Sequence, residues 1–301
     1  MSLLVSGTIG LDTVETPRRR VEGVLGGSAA YFSVAASLLA PVRLVAVVGE
    51  DFPPAFRRVF EGRHIDTAGL EVRAGSKTFA WHGRYLENMN ERETLRTDLN
   101  VINEAPPPIP PAFRDSEYVF LANTHPAIQR RFIEQLARPR LIVLDTMNLW
   151  IEGFRDDLLR TLRLVHGVVV NDGEARQLTG ADHLVEAGRA ILQLGPRFVV
   201  IKKGEHGAML VTAEDLFVLP AIPSPHVVDP TGAGDSFAGG LMGHLAAVRR
   251  DDPAALRAAV ARGTCVASIT IEGFSLDALA AADRRAVEDR LTRLRAMTAF
   301  D

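Results

Sequence analysis

Cysteine is almost missing from this chain: its 301 residues include one, Cys265. No intramolecular disulfide can form, which fits a reducing compartment. Cys265 lies in an apolar helical run and reads as a small core residue rather than a nucleophile. No apolar run reaches the roughly 20 residues of a membrane-spanning helix. Residues 1–10 lack the basic stretch and long apolar segment of a secretory signal. The expectation is a cytoplasmic protein with no membrane partner. Charge of one sign is also lacking: 34 Lys and Arg stand against 37 Asp and Glu, a net charge of −3. That balance offers no basic field to nucleic acid or an anionic surface. The histidines show no metal-ligand spacing. No Gly-x-x-x-x-Gly-Lys-Ser/Thr run is present, so a P-loop NTPase is not supported. Gly7-Thr8-Ile9-Gly10 has the wrong spacing for the Gly-x-Gly-x-x-Gly of a nicotinamide enzyme.

The rest of the composition is that of a folded globular chain, 47% hydrophobic and 24% charged,. At this length it forms one large domain, or one domain with a small appendage. Apolar runs of strand length recur at 3–6, 42–48, 118–122, 141–144, 167–170, 198–201 and 208–211. Several are continuous Val, Ile and Leu, as in strands covered on both faces. Helical patterns fall between them at 28–39, 55–63, 127–136, 157–165, 184–194, 235–248 and 253–270. The alternation predicts an α/β fold with a mostly parallel sheet. Ligands of such sheets bind beyond the carboxyl ends of the strands.

From about 71 to 100 the alternation breaks. Thr78-Phe79-Ala80-Trp81-His82-Gly83-Arg84-Tyr85 and Arg92-Glu93-Thr94-Leu95-Arg96-Thr97 are polar with interleaved aromatics and a period near two. They read as antiparallel strands with one polar face. Pro106-Pro107-Pro108 and Pro110-Pro111 then form a stiff return to the core,.

The most informative stretch is Asp229-Pro230-Thr231-Gly232-Ala233-Gly234-Asp235-Ser236-Phe237-Ala238-Gly239-Gly240. A glycine-punctuated turn runs into an apolar helix. Gly232 and Gly234 let backbone approach a ligand, and helix-start N–H groups make an anion cradle. An Asp inside an anion cradle repels phosphate. It makes sense if Asp235 takes a proton from a hydroxyl that then attacks a phosphoryl group.

This run resembles the C-terminal signature of the ribokinase-like (PfkB) family of carbohydrate and nucleoside kinases. Gly26-Gly27-Ser28-Ala29-Ala30, leading into a helix, resembles that family's N-terminal glycine pair. The resemblance spans essentially the whole chain. It implies a three-layer α/β sandwich (residues 1–11, 21–71 and 103–301) with a mostly parallel central sheet and a small β-sheet lid (12–20 and 72–102). It implies an ATP- and Mg²⁺-dependent kinase acting on a hydroxymethyl group of a small sugar, with a nucleoside as the alternative acceptor. Asp235 would be the base and the N–H groups of Gly232, Ala233 and Gly234 the anion hole.

The resemblance also assigns the surrounding residues. Asp12 would accept hydrogen bonds from substrate hydroxyls, and Gly26 and Gly27 would let backbone approach the substrate. The family often has a substrate-contacting Asn at the place of Tyr31; the aromatic here would stack on a substrate ring or fill the core, so this departure bears on substrate identity. Asn123 follows a strand and would face the substrate. Asn148, Lys202, Gly204, Thr231, Gly232 and Gly234 would contact the nucleotide. Asn171 and Glu174 would hold Mg²⁺ through water, although their spacing alone reads as a helix capping box. Asp229, Thr231, Gly273 and Ser275 would form a monovalent-cation (K⁺) site, against plain turn chemistry. A homodimer through the lid is a further expectation. A regulator that kept the fold and lost catalysis is the reading from another class; an intact Asp235 argues against it.

Overall fold

The computed structural model describes residues 3–300. The described residues form thirteen strands and eleven α-helices. The strands are β1 (Leu3–Ser6), β2 (Gly10–Glu15), β3 (Arg20–Gly26), β4 (Val42–Gly49), β5 (Ile65–Arg73), β6 (Phe79–Tyr85), β7 (Arg92–Asp98), β8 (Tyr118–Leu121), β9 (Leu141–Asp145), β10 (Gly167–Asn171), β11 (Phe198–Lys202), β12 (Ala208–Thr212) and β13 (Leu216–Leu219). The helices are α1 (Ser28–Ser37), α2 (Pro54–Glu61), α3 (Pro126–Ile133), α4 (Asn148–Gly153), α5 (Arg155–Leu162), α6 (Asp172–Thr179), α7 (Leu184–Leu192), α8 (Ala233–Val248), α9 (Pro253–Thr270), α10 (Asp277–Ala281) and α11 (Arg284–Thr298).

Nine strands make one sheet in the order β13-β12-β11-β10-β9-β8-β1-β4-β5. It is parallel from β5 to β11 and antiparallel through β12 and β13. Strand periodicity explains why it needs cover on both faces. Leu3, Val5, Tyr118, Phe120, Leu141, Val143 and Val200 face one core, which α1, α8, α9 and α11 complete. Their neighbours Leu4, Val119, Leu121, Ile142, Leu144 and Val199 face the other, which α3, α5, α6 and α7 complete. A strand residue that pointed to water on either face would forgo about 1.5–3 kcal/mol of burial. The result is the three-layer α/β sandwich. Phe32 of α1 stacks on Phe120 with ring centroids 4.3 Å apart and 6° between planes, so this aromatic belongs to the core.

The other four strands form a separate sheet, β3-β2-β6-β7. β2 and β6 pair in parallel; β2 with β3 and β6 with β7 pair antiparallel. Its extent differs from the expected lid segments. Gly10 and Leu11 already pair within it, and all of Arg20–Gly26 is one of its edge strands. The glycine pair thus marks the end of the small sheet and the start of α1. Glu15 gathers His82, Arg84 and Arg20 on this sheet at 2.8–3.2 Å. These partly exposed pairs contribute little individually. Among the described residues no helix is long and apolar enough to cross a membrane.

Candidate active site

Parallel strands end on the same side, so β9, β10 and β11 deliver Asp145, Asn171 and Lys202 to one edge of the large sheet,. The Asp229–Gly240 run meets that edge. Gly232 is the residue before α8, with φ of 72°. A Cβ there would lie 2.3 Å from the Tyr31 ring, so both backbone conformation and space require glycine,. Tyr31 itself is only 2% exposed and supports the loop from below. That position fits the core-filling reading of Tyr31.

The loop's amides are not equivalent. The Ala233 N–H donates to the Pro230 carbonyl at 3.2 Å, and the Ser236 N–H donates to that of Gly232 at 2.8 Å. Gly234 and Asp235 occupy first-turn positions of α8 whose N–H groups have no partner one turn back. The Lys202 amine lies against Gly234, 2.9 Å from where a Cβ would stand. Lys202 Nζ is 3.7 Å from Asp145 Oδ1. Anion-binding amides, a lysine amine and Asp235 therefore surround the start of α8.

Burial and the Asp145 charge raise the Asp235 pKa to about 7, against the opposing charges of Lys202 and Arg92. A carboxylate poised there is matched to accepting a proton near neutrality. Asp145 is also raised by burial, offset by Lys202. Lys202 is raised because Asp145, Glu174 and Asp235 outweigh its desolvation. It stays charged.

Asp12 lies within β2, opposite Trp81. It is 4% exposed, and its Oδ1 has no hydrogen-bond partner among the described residues. Burial first, then the charges of Asp229 and Asp235, raise its pKa to about 7. An orphaned buried carboxylate oxygen is costly and suits a ligand hydroxyl. Gly26 explains how the carboxylate fits: a Cβ there would lie 1.9 Å from Asp12 Oδ2. Gly27, at φ of 93°, presses against the Thr8 carbonyl, and a Cβ would come within 2.5 Å of it.

The remaining candidates divide. Asn171 and Glu174 form a complete capping box: Asn171 Oδ1 accepts from the Glu174 N–H at 2.7 Å, and Glu174 Oε2 accepts from the Asn171 N–H at 2.8 Å. Glu174 is nonetheless buried, and burial raises its pKa to about 7. Asp229 Oδ1 accepts from the Thr231 N–H at 2.9 Å and its Oδ2 from the Ser275 N–H at 3.1 Å. The Ser275 hydroxyl donates to the Leu25 carbonyl. Asp229, Thr231 and Ser275 thus tie the anion loop to the 271–276 turn and the small sheet, while Gly273 packs on Ala278. Gly204 opens a single 3-10 turn at φ of 53°.

Two candidates stand apart from these. Asn123 spends its amide inside the protein, accepting from Trp150 Nε1 at 2.8 Å and contacting Met147 Sδ at 3.1 Å. Its side chain is therefore already engaged with Met147 and Trp150. Asn148 is exposed at the start of α4, and the buried carboxylate of the same segment is Asp145. The sequence reading took Tyr85 as a lid aromatic without placing it at the anion loop, and it missed Arg92. Thr231 Oγ1 donates to the Tyr85 hydroxyl at 3.2 Å, and the Arg92 charge acts on Asp145, Glu174 and Asp235. Aromatics alternating along a polar strand were the available signal for Tyr85; nothing local singled out Arg92.

The model of the pfkB family of carbohydrate kinases matches residues 10–280. A cytidine kinase of Thermococcus kodakarensis is 31% identical over 249 residues, covering 80% of this chain and 87% of the relative. The aminoimidazole riboside kinase of Salmonella typhimurium is 27% identical over 283 residues, covering 89% and 88%. The solved aminoimidazole riboside kinase of Salmonella enterica, with aminoimidazole riboside and an ATP analogue, superposes with a TM-score of 0.74 at 23% identity, covering 97% of this chain and all of that one. The Burkholderia thailandensis nucleoside kinase in complex with inosine gives 0.76 at 19%, covering 98% of each chain. These two likenesses show the ribokinase fold. The chain belongs to the pfkB family of carbohydrate kinases and is a phosphotransferase with an alcohol group as acceptor.

Proposed function

We propose that this kinase transfers the γ-phosphate of ATP to the hydroxymethyl group of a ribose-bearing small molecule, a nucleoside or related riboside. The observation that carries the reading is a pair of buried carboxylates close enough for the charge of Asp235 to act on Asp12. Asp12, with an unpartnered oxygen, suits acceptor hydroxyls, and Asp235 adjoins the amides of α8. The two long matches act on ribosides by name, cytidine and aminoimidazole riboside. A free sugar, the acceptor put first by the sequence reading, has support from a fructokinase of Klebsiella pneumoniae, 31% identical over 103 residues, a third of each chain.

In this reading Asp12 accepts hydrogen bonds from two ring hydroxyls and fixes the acceptor. Asp235 takes the proton of the hydroxymethyl group as its oxygen attacks phosphorus. The new O–P bond forms as the bond to ADP breaks, and ADP leaves with the electron pair. The amides at the start of α8 and the Lys202 ammonium face the transferred group and stabilise its charge. Tyr31 and the glycines hold that loop at the required height. The small sheet closes over the acceptor and excludes water, whose attack would waste ATP. The chain fits a divalent cation at Glu174, a buried acid with Oε1 outside the capping box. Among the described residues no three His, Cys, Asp or Glu side chains gather to hold a metal directly. An ion there would take its other ligands from water and phosphate, as Mg²⁺ commonly does, and would neutralise phosphate charge.

The test is a coupled ATP-consumption screen with ATP and Mg²⁺ against cytidine, inosine, aminoimidazole riboside, ribose and fructose, with the phosphorylated product identified by mass. Turnover of a riboside above ribose and fructose is expected. Preference for a free sugar would refute the acceptor class. No turnover in Asp235→Asn with the same acceptor would tie the reaction to the proposed base.

A further inference from the structure

We infer that Arg92, carried on the small sheet, is a catalytic residue: its guanidinium contacts the phosphoryl group in transfer and is delivered when the β6–β7 hairpin seats on the anion loop. The inference rests on the phosphoryl-transfer reading of Asp235 and concerns a residue outside the family's glycine motifs.

Two contacts dock the hairpin, and Arg92 pairs across the strands with the first of them. Tyr85, 6% exposed at the end of β6, accepts from Thr231 Oγ1 at 3.2 Å, next to the loop glycine Gly232. At the hairpin tip, Asn90 Nδ2 donates to Glu205 Oε1 at 2.9 Å, beside the turn at Gly204. Arg92 opens β7 as the cross-strand partner of Tyr85, and its charge acts on the Tyr85 hydroxyl.

A plate inside the sheet supports the guanidinium. Gly83 leaves room for the Trp81 indole to lie across it; a Cβ would meet that ring at 1.9 Å. Trp81 Nε1 donates to Thr94 Oγ1 at 3.2 Å, and the guanidinium carbon of Arg92 lies 5.5 Å from the indole centroid. Stacking of this kind orients an arginine without consuming its donors.

Its neighbours show what Arg92 lacks. Arg84 and Arg96, on the same hairpin, pair with Glu15 and Asp98 of their own sheet, each at 2.8 Å. Among the described residues Arg92 has no ion-pair partner. The carboxylates it does act on, Asp145, Glu174 and Asp235, lie across the cleft on the large domain and depend on one amine, Lys202. A polyphosphate entering there carries more negative charge than the single ammonium of Lys202 balances. A planar donor from the opposite wall supplies further positive charge as the transferred group passes between ADP and acceptor. Arg92 gives and takes no proton in the step.

The experiment compares native protein, Arg92→Ala, Arg92→Lys and Asp235→Asn, using ATP, Mg²⁺ and the fastest acceptor of the panel above. Arginines that stabilise a transferring phosphoryl group are worth about 10³–10⁵ in kcat. With Lys202 sharing the task, Arg92→Ala is expected to lower kcat by about 10²–10³-fold. Acceptor KM should change less than about threefold and the melting temperature less than about 2 °C. Lysine should recover only part of the loss, for want of the fork, and added guanidinium ion should restore turnover to the alanine variant. Arg92→Ala with native kcat while Asp235→Asn is dead would sink this inference alone. So would a loss that guanidinium ion fails to relieve, or one confined to KM. An active Asp235→Asn would instead overturn the phosphoryl-transfer reading.

Discussion

Replacing Gly26 with alanine isolates the acceptor side of the site. The backbone tolerates a side chain, because Gly26 is not among the residues of positive φ. The space does not: the added methyl would lie 1.9 Å from Asp12 Oδ2 and 2.3 Å from its Cγ. Asp12 is pinned by the pairing of β2 with β3 on one side and β6 on the other. Its carboxylate must therefore turn away or β3 must lift. Overpacking costs about 1–3 kcal/mol of stability, a fall of a few degrees in melting temperature for a chain this long. Loss of one hydrogen bond to a charged group costs about 1.5–3 kcal/mol. At 1.4 kcal/mol per factor of ten, that is roughly 10–150-fold in kcat/KM for the acceptor. Steady-state ADP release should show the loss mainly in acceptor KM, with ATP affinity by calorimetry unchanged. Asp12→Asn should cause a similar loss without the overpacking cost. The double variant should be no worse than Gly26→Ala, because both remove one interaction. Losses that simply add, or an unchanged acceptor KM in Gly26→Ala, would refute the claim that Gly26 exists to seat Asp12.

Asp235→Asn should lower turnover by about 10²–10⁴-fold while calorimetric ATP affinity stays near native; substantial residual turnover would remove Asp235 as base. Because Asp235 must be ionised to accept a proton and its pKa is raised to about 7, kcat should climb as pH rises through about 7, and a profile flat from 6 to 8 would contradict it. The same shift has a stability sign. Folded Asp12, Glu174 and Asp235 hold protons up to about 7, whereas the unfolded chain releases them near the ordinary carboxyl values of 3.8–4.5. The native state therefore binds more protons between those limits, and the ligand-free protein should lose stability as pH rises from about 4.5 to 7. Asp235→Asn should melt higher than native at pH 8, with the gap closing towards pH 4; no gap at pH 8 would mean the carboxylate is well solvated. Glu174→Gln retains an oxygen to complete the capping box but loses the charge, so the helix should persist by circular dichroism while half-saturating Mg²⁺ rises several-fold; an unchanged Mg²⁺ titration would leave Glu174 with only its capping role.

The sequence by itself determined the α/β class, the parallel sheet, the positions of most central strands and the chemistry of the Asp229–Gly240 run. These are properties of short range. Strands buried on both faces must be continuously apolar, and a helix start with two glycines carries its meaning in twelve residues. Elements at the margins left weaker traces. β5 and β13 edge the sheet and mix polar with apolar residues, and α11 buries only Val287, Leu291 and Leu294 amid charge. Only the tertiary structure decided which residues meet. It turned Tyr31 under the loop, folded Asn123 into contact with Trp150, preferred Asp145 to Asn148, and brought Tyr85 and Arg92 from the small sheet onto a loop about 140 residues away. Burial, pKa and side-chain direction depend on neighbours distant along the chain, and no local pattern encodes them.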